Sequence, residues 1–196
     1  MEATKANKRT SPILMIILAA MFAAIGAVTS WISIPMPSGV PITLQTFGMA
    51  LIGYTLGYKY GTLSVGVYVA LGAIGAPVFS GFKGGFGVIT GATGGFIIGF
   101  IFMAAICGLC KLKKLQSLDY LPKIMISIAL GVCGLLVCHL LGIIQFMLLF
   151  NDSFIAAALK VSIPFYLIKD IISVAAAYFV SVAAGALIQK IAKVKI

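Results

Sequence analysis

Long apolar runs are the feature of this sequence that most restricts its fold. The first run, Ile13 to Ile32, holds no charged residue, and similar runs follow to the end of the chain. With 62% of residues apolar and 9% charged, too few polar side chains exist to cover a water-exposed globule. A bilayer inverts this requirement, because lipid-facing side chains must be apolar and helices satisfy their own backbone hydrogen bonds. The pattern predicts an all-α integral membrane protein.

The lengths of the runs and the breaks between them predict six transmembrane helices in a single transmembrane domain, residues 1–196. Each span needs about 20 residues to cross a hydrocarbon core of about 30 Å. Prolines and glycines mark the breaks, as at Pro35 to Pro41 and at Gly57 to Gly61. A glycine-rich structured loop at 79–95 leads into the fourth span, and a short amphipathic segment at 154–161 precedes the sixth. After an N-terminal tail, 1–12, the spans are expected at about 13–34, 43–56, 62–74, 90–109, 123–150 and 165–191.

The basic residues are distributed unevenly between the two predicted ends of the bundle. If the N-terminus lies in the cytoplasm and the chain crosses at every span, eleven of the fourteen basic residues fall on the inner side. The positive-inside rule favours this orientation, with both termini cytoplasmic and the chain in the cell membrane. The basic residues form no groove interleaved with aromatics, so the net charge of +10 does not indicate nucleic-acid binding. The inner set is Lys5, Lys8, Arg9, Lys59, Lys111, Lys113, Lys114, Lys123, Lys190, Lys193 and Lys195; the outer set is Lys83, Lys160 and Lys169.

Apart from the basic residues on the inner side, the chain has few polar side chains, and these collect on the predicted outer side. Asp170 is the most informative of them, because an unpaired carboxylate inside an apolar span costs about 2.5 to 3.5 kcal/mol. It either pairs with Lys169 or Lys83 to hold the loops together, or it takes part in function. Lys83 is either a solvated loop charge or, with the backbone N–H groups around its flanking glycines, part of an anion site. The polar residues of the predicted outer side are Thr43, Gln45, Tyr68, Lys83, Thr93, Asn151, Asp152, Lys160, Lys169 and Asp170.

The sequence lacks the usual signatures of catalysis and of nucleotide or metal binding. It has no Gly-x-x-x-x-Gly-Lys-Ser/Thr loop, so the chain is not expected to use ATP by that route. Its four cysteines lie in apolar runs, where they pack as small hydrophobic side chains. The one histidine, His139, lies in the fifth span without an evident acidic partner, which argues against nucleophilic catalysis. We expect no cofactor, no metal and no enzymatic activity; an intramembrane hydrolase or acyltransferase that uses His139 is the alternative.

Small residues recur at four-residue spacing in two of the predicted spans. In the first span Ala20 and Ala24 lie on one face with further alanines beside them, and in the fourth span Gly91, Gly95 and Gly99 repeat the pattern. Small side chains at this spacing let another helix approach closely. Each strip therefore either packs within the bundle or docks another subunit.

Three motifs of this sequence resemble those of one known family. They are Ile34-Pro35-Met36-Pro37 followed by Val40-Pro41-Ile42-Thr43-Leu44-Gln45-Thr46, then Tyr68-Val69-Ala70-Leu71-Gly72-Ala73-Ile74-Gly75-Ala76-Pro77-Val78-Phe79, then Gly91-Ala92-Thr93-Gly94-Gly95-Phe96-Ile97-Ile98-Gly99-Phe100. In this combination, and with the alanine strip and Asp170, the chain resembles the BioY family over essentially its whole length. Members of that family are the substrate-binding S components of energy-coupling-factor (ECF) biotin transporters.

The resemblance implies an S-component-like bundle with an outward-facing site that binds biotin at high affinity. Biotin offers ureido N–H donors, an apolar thioether ring and a carboxylate tail. Asp170 would accept the ureido hydrogen bonds, with Gln45 and Thr43 in reach of the ureido group or the tail. The resemblance further implies that Lys83 or Lys169 would neutralise the carboxylate and that Tyr68 and Phe79 would pack on the rings.

The resemblance also implies partners and leaves alternatives open. Ala20 and Ala24 would dock on a transmembrane coupling subunit, and two ATPase subunits would use the ATP. The chain departs from the family where Ser173 replaces a frequent basic residue, and where Gly91-Ala92-Thr93-Gly94-Gly95-Phe96 replaces a frequent Gly-Pro-Thr-Gly-Gly-Tyr. An S component for another vitamin, or a stand-alone transporter, is the alternative within the transport class.

Overall fold

The computed structural model describes residues 12–162 and 165–192, with no account of the side chains of Ile191 and Ala192. Residues 1–11 of the predicted N-terminal tail, with Lys5, Lys8 and Arg9, lie outside the described residues, as do Lys193 and Lys195. The last residue of the predicted tail, Pro12, instead begins the first helix. The helices are α1 Pro12–Trp31, α2 Gln45–Ala73, α3 Phe86–Ile89, α4 Gly94–Gly108, α5 Lys113–Gln116, α6 Tyr120–Phe150, α7 Phe154–Val161 and α8 Phe165–Ala192. Two short strands, β1 Ser33–Ile34 and β2 Ile42–Thr43, and two 3₁₀ turns, Ser80–Phe82 and Leu109–Lys111, complete the described structure.

Four segments of the described chain are long and apolar enough to cross a membrane. They are Pro12–Trp31, Gly94–Lys111, Tyr120–Phe150 and Phe165–Lys190. Large apolar side chains such as Ile13, Leu136 and Ile172 are exposed on their outer faces, as lipid-facing side chains must be. The fold class is therefore confirmed as helical, and the chain is a multi-pass membrane protein.

Helix α2 reverses direction at Gly57. Gly57 has φ 78° and ψ 175°, a combination that is essentially restricted to glycine. The Nε2 atom of Gln45 lies 2.7 Å from the hydroxyl of Tyr68, although a straight helix would separate these residues by about 34 Å at 1.5 Å per residue. A methyl group added at Gly61 would lie 3.0 Å from the Cα of Gly53. Residues 45–56 and 58–73 are therefore two antiparallel arms, separated at the glycine where the sequence predicts a break.

Replacing Gly57 with alanine is expected to destabilise the protein. An alanine in this backbone conformation costs on the order of 1 to 3 kcal/mol, which lowers the melting temperature measured by intrinsic fluorescence. Gly66→Ala is the matched control, because Gly66 lies in the helix with nothing within 4 Å of an added methyl group. This control is expected to keep or raise the melting temperature, since alanine is the better helix former. Equal melting temperatures for both variants would contradict the strained reversal.

The arms of α2 form the centre of the bundle, in contact with α1, α4 and α8, and α4 packs in turn on α6. Glycines allow the closest approaches. A methyl group at Gly53 would lie 2.5 Å from the carbonyl oxygen of Ala104, and one at Gly99 would lie 2.7 Å from the Cα of Cys138. Gly95 similarly meets the backbone of Leu141. Gly95 and Gly99 of the α4 strip therefore pack within the bundle, against α6.

The alanines of α1 divide between two faces of the helix. Ala19 and Ala23 are buried, and the Ser64 hydroxyl of α2 donates a hydrogen bond of 2.7 Å to the carbonyl oxygen of Ala19. Ala20 and Ala24 are exposed. Packing inside the bundle therefore uses Ala19 and Ala23 and leaves the predicted docking pair on the outer surface of α1.

A small hairpin follows α1. Strand β1 pairs antiparallel with β2, with Ser33 opposite Thr43 and Ile34 opposite Ile42. The sequence-based prediction placed Ile34 in the first span and Thr43 in the second, and both placements are wrong. The physical reason is local: a proline disfavours helical geometry at the preceding residue, and Pro35 follows Ile34. The proline-rich segment 35–41 forms the loop of this hairpin.

Candidate functional site

A cavity of about 650 Å³ lies at one end of the bundle, within the usual size range of small-molecule sites. Its wall comes from the β1–β2 hairpin, the loop between α2 and α4, the start of α4, His139 of α6 and the start of α8. The lining residues are Ser33, Pro35, Met36, Gly39, Val40, Pro41, Thr43, Gln45, Thr46, Phe79, Ser80, Gly81, Lys83, Gly87, Val88, Gly91, Ala92, Thr93, Phe96, Ile97, Phe100, His139, Tyr166, Lys169 and Asp170.

The structure brings the predicted site residues together around this cavity. Thr43, Gln45, Phe79, Lys83, Lys169 and Asp170 all line it, whereas Tyr68 does not. Tyr68 is fully buried behind the wall, where its hydroxyl accepts a hydrogen bond of 2.7 Å from Gln45 Nε2. Its ring packs nearly perpendicular to that of Phe79, with the centroids 5.5 Å apart. Tyr68 therefore holds Gln45 and Phe79 in place from outside the cavity.

The other polar residues of the predicted outer side lie in different places. Thr93 lines the cavity, but Asn151, Asp152 and Lys160 do not. Asp152 and Lys160 form an ion pair of 2.7 Å beside α7. Because the Lys160 side chain is 53% exposed, this pair contributes little to stability.

Asp170 is buried at the cavity wall, with 5% of its surface exposed. Its Oδ2 atom lies 3.1 Å from Nε2 of His139, and its Oδ1 atom contacts the ammonium of Lys169. That ammonium also donates a hydrogen bond of 2.6 Å to the carbonyl oxygen of Thr43. The predicted alternative of an ion pair with Lys169 is therefore present, and the cavity-lining position is present as well.

His139 has an acidic partner, contrary to the prediction from the sequence. Its Nε2 faces Asp170 and its Nδ1 lies 2.8 Å from the hydroxyl of Ser162. A carboxylate only accepts, so in the neutral imidazole Nε2 carries the proton and Nδ1 accepts from Ser162. Ser162 is buried and does not line the cavity, so its hydroxyl does not face a molecule held there. Thirty-one residues separate His139 from Asp170, and no local spacing signals this contact.

Sequence reasoning also missed Tyr166 and Phe96 as cavity residues. The Tyr166 hydroxyl donates a hydrogen bond of 2.8 Å to the carbonyl oxygen of Val40 and lies 3.1 Å from the Ser38 hydroxyl, which anchors the proline-rich loop to α8. Tyr166 precedes Asp170 by four residues, and helical residues at that spacing share a face. This spacing was the available signal. Phe96 directly follows the glycines of the third motif.

The cavity carries one unmatched positive charge. Its charged lining residues are Lys83, Lys169 and Asp170. Lys169 and Asp170 compensate each other. Lys83 is exposed and has no ion-pair partner within residues 12–162 and 165–192. The site therefore suits an anion that also carries hydrogen-bond donors and an apolar body.

The loop that carries Lys83 is fixed to α1. The backbone N–H of Phe79 donates a hydrogen bond of 2.9 Å to the carbonyl oxygen of Lys83, which closes a small turn. The indole N–H of Trp31 donates a hydrogen bond of 2.8 Å to the carbonyl oxygen of Pro77. The Trp31 ring stacks on Phe82, with the centroids 4.9 Å apart. These contacts hold the loop that places Lys83 at the edge of the cavity.

Comparisons with known proteins agree on one family. The family model of the BioY family matches residues 3–190. The biotin transporter BioY of Thermotoga maritima is 45% identical over 76% of this chain and 83% of its own length. The biotin transporter BioY of Rhodobacter capsulatus is 39% identical over 69% of this chain and 68% of its own length.

A solved structure agrees with these matches. The crystal structure of an S-component for biotin from an ECF-type ABC transporter superposes with a TM-score of 0.74 and 27% sequence identity, covering 86% of this chain and 89% of that one. The resemblance predicted from the three sequence motifs is thereby confirmed. The chain belongs to the BioY family.

Proposed function

We propose that this chain is the substrate-binding subunit of an ECF-type transporter that takes up biotin across the cell membrane. The observation that carries the proposal is the cavity, which combines a buried carboxylate with one unmatched ammonium in a mostly apolar wall. Two relatives at 39% and 45% identity bear the name biotin transporter, and the solved neighbour is an S-component for biotin. The chain binds and presents the vitamin; its sequence contains no Gly-x-x-x-x-Gly-Lys-Ser/Thr loop.

The proposed topology is six crossings in one transmembrane domain, with both termini cytoplasmic. The two arms of α2 supply the second and third crossings. A methyl group added at Gly57, at the reversal, would lie 3.4 Å from the Cβ atom of Lys111. A methyl group added at Gly185 of α8 would lie 3.8 Å from the Lys111 ammonium. These contacts gather Lys59 and Lys111 at the end opposite Lys83 and Lys169, and the positive-inside rule assigns the lysine-rich end to the cytoplasm.

Thiol labelling tests this orientation. A Ser80→Cys variant, in a chain whose exposed Cys133 is replaced by serine, places the reporter thiol at the cavity rim. A membrane-impermeant maleimide is expected to label intact cells. Labelling only after permeabilisation would reverse the proposed orientation.

The proposed ligand orientation follows from the charges of the wall. The ureido N–H groups of biotin are hydrogen-bonded to Asp170, with Gln45 and Thr43 beside them. Phe79 packs on the apolar rings. Because the Lys169 ammonium is already held by Asp170 and the carbonyl oxygen of Thr43, the carboxylate of biotin lies towards Lys83.

Replacing Lys83 with glutamine is expected to weaken the binding of biotin about two- to fivefold. The effect is modest because an exposed ion pair contributes about 0.2 to 1 kcal/mol. Biotinamide, whose tail is uncharged, is expected to bind both proteins equally. Lys160→Gln is the matched control, since Lys160 is exposed but lies outside the cavity. Isothermal calorimetry at low salt measures the affinities of the parent chain and both variants for the two ligands, and an equal loss for biotin and biotinamide in Lys83→Gln would remove Lys83 from the carboxylate.

The proposed partners are a transmembrane coupling subunit and two ATPase subunits, which supply the energy of transport. The exposed pair Ala20 and Ala24 on α1 is the proposed contact with the coupling subunit. Small side chains there permit close helix packing without rearrangement of the bundle. No cofactor is assigned to this chain.

Thermal stability tests the choice of ligand. A ligand that binds only the folded state raises the melting temperature in a concentration-dependent way. Biotin is expected to stabilise the purified chain, whereas riboflavin, thiamine and folate are not. Stabilisation by one of these vitamins in place of biotin would make the chain an S component for that vitamin.

A further inference from the structure

We propose that His139 is a positioning residue, which orients the carboxylate of Asp170 as the acceptor for the N–H groups of the ligand. The inference rests on the proposed biotin function and adds a residue to it. It assigns the Ser162–His139–Asp170 contacts a role in ligand recognition and not in hydrolysis. The two hydrogen bonds to the imidazole and the position of His139 on the cavity wall carry the argument.

The imidazole of His139 is fixed from three sides. Ser162, which follows α7, bonds Nδ1 at 2.8 Å, and Asp170 of α8 bonds Nε2 at 3.1 Å. The ring of Phe96 stands perpendicular to the imidazole, with the centroids 5.5 Å apart. Gly142, three residues after His139 in α6, leaves the space that the Phe96 ring fills. A methyl group added at Gly142 would collide with that ring. The imidazole therefore has one orientation, with its Nε2–H directed at the carboxylate.

The contacts of Asp170 leave its carboxylate free to accept more hydrogen bonds. Each carboxylate oxygen has about two lone-pair positions. Oδ2 uses one for His139, and Oδ1 contacts the Lys169 ammonium but accepts no hydrogen bond of good geometry from the described residues. Asp170 is 5% exposed, so water does not readily satisfy the remaining positions. Asp170 lines the cavity, so these unfilled positions suit a ligand that presents N–H donors, as the ureido ring does.

Without His139, the carboxylate has a single partner on one side. Lys169 would remain, and its ammonium is tied to the carbonyl oxygen of Thr43 in the hairpin. The carboxylate would then be free to rotate about its side-chain bonds, and Oδ2 would lack a donor. His139 holds Oδ2 while Lys169 holds Oδ1. Together the two contacts fix the plane of the Asp170 carboxylate.

Two conservative substitutions of His139 distinguish the roles of the two imidazole nitrogens. The amide nitrogen of glutamine reaches about as far along the side chain as Nε2, so His139→Gln keeps a donor for Asp170. The amide of asparagine reaches only as far as Nδ1, so His139→Asn keeps a partner for Ser162 and loses the donor for Asp170. We expect His139→Asn to weaken biotin binding about tenfold to a hundredfold and His139→Gln to restore most of the loss.

A second ligand distinguishes positioning from general damage to the fold. In a biotin analogue methylated at the ureido nitrogens, the donors that Asp170 would accept are absent. If His139 acts through Asp170, His139→Asn changes the affinity of this analogue less than twofold. The melting temperatures of both variants are measured alongside, because a structural defect would weaken both ligands together.

Each outcome of these measurements decides the proposal. Loss of biotin affinity in His139→Asn, recovery in His139→Gln and an unchanged affinity for the methylated analogue support the positioning role. Equal losses for both ligands, or equal losses in both variants, overturn it while leaving biotin binding by the parent chain intact. Failure of the parent chain to bind biotin would instead overturn the proposed function and the inference with it.

Discussion

Asp170→Asn is expected to weaken biotin binding by about a hundredfold or more. Hydrogen bonds to a charged group contribute about 1.5 to 3 kcal/mol each, and the substitution affects two of them. The asparagine amide also presents N–H groups where Lys169, His139 and the ureido ring all donate, so at least one donor faces another donor. Isothermal calorimetry of the purified chain measures this loss.

Asp152→Asn is the matched control for this prediction. Asp152 is also an aspartate at this end of the bundle, but it pairs with Lys160 at the surface and lies outside the cavity. Its replacement is expected to change the affinity less than twofold. Equal affinities for the two variants would remove Asp170 from the binding site.

Ala24→Trp is expected to reduce biotin uptake by cells to the background level while biotin binding by the purified chain stays unchanged. Ala24 is exposed on α1, away from the cavity, so the indole projects outward and does not disturb the bundle. It would separate the helix from a subunit that docks on the small-residue face. Uptake of radiolabelled biotin and binding in detergent measure the two effects separately.

Leu136→Trp provides the control for bulk in the membrane. Leu136 is an exposed apolar residue of α6, and a tryptophan there is expected to preserve both binding and uptake. Normal uptake by the Ala24→Trp protein would show that the exposed face of α1 is not the docking surface. Loss of binding in that protein would show that Ala24 supports the fold.

The helical class and the position of the break in α2 could be predicted from the sequence because both depend on local patterns. Apolar runs fix the helices, and Gly57 supplies the break that separates the arms of α2. Asp170 stood out because a carboxylate in an apolar run has few alternatives. Five of the predicted site residues that line the cavity are polar, because polar side chains in an apolar bundle collect where a polar site exists.

The contacts between distant segments could not be predicted in the same way. His139 meets Asp170 only because α6 packs on α8, and Ser162 reaches Nδ1 only from the turn after α7. Tyr68 was predicted in contact with the ligand, yet the reversal at Gly57 places its hydroxyl behind Gln45. These outcomes depend on the relative rotation of packed helices, and the spacing of residues along one helix does not determine that rotation.

Equilibrium binding of radiolabelled biotin to the purified chain, without any other subunit, tests the central claim most directly. The account predicts saturable binding of one biotin per chain, displaced by unlabelled biotin and strongly weakened in the Asp170→Asn protein. Absence of saturable binding by the folded chain, or full-strength binding by the Asp170→Asn protein, would contradict it.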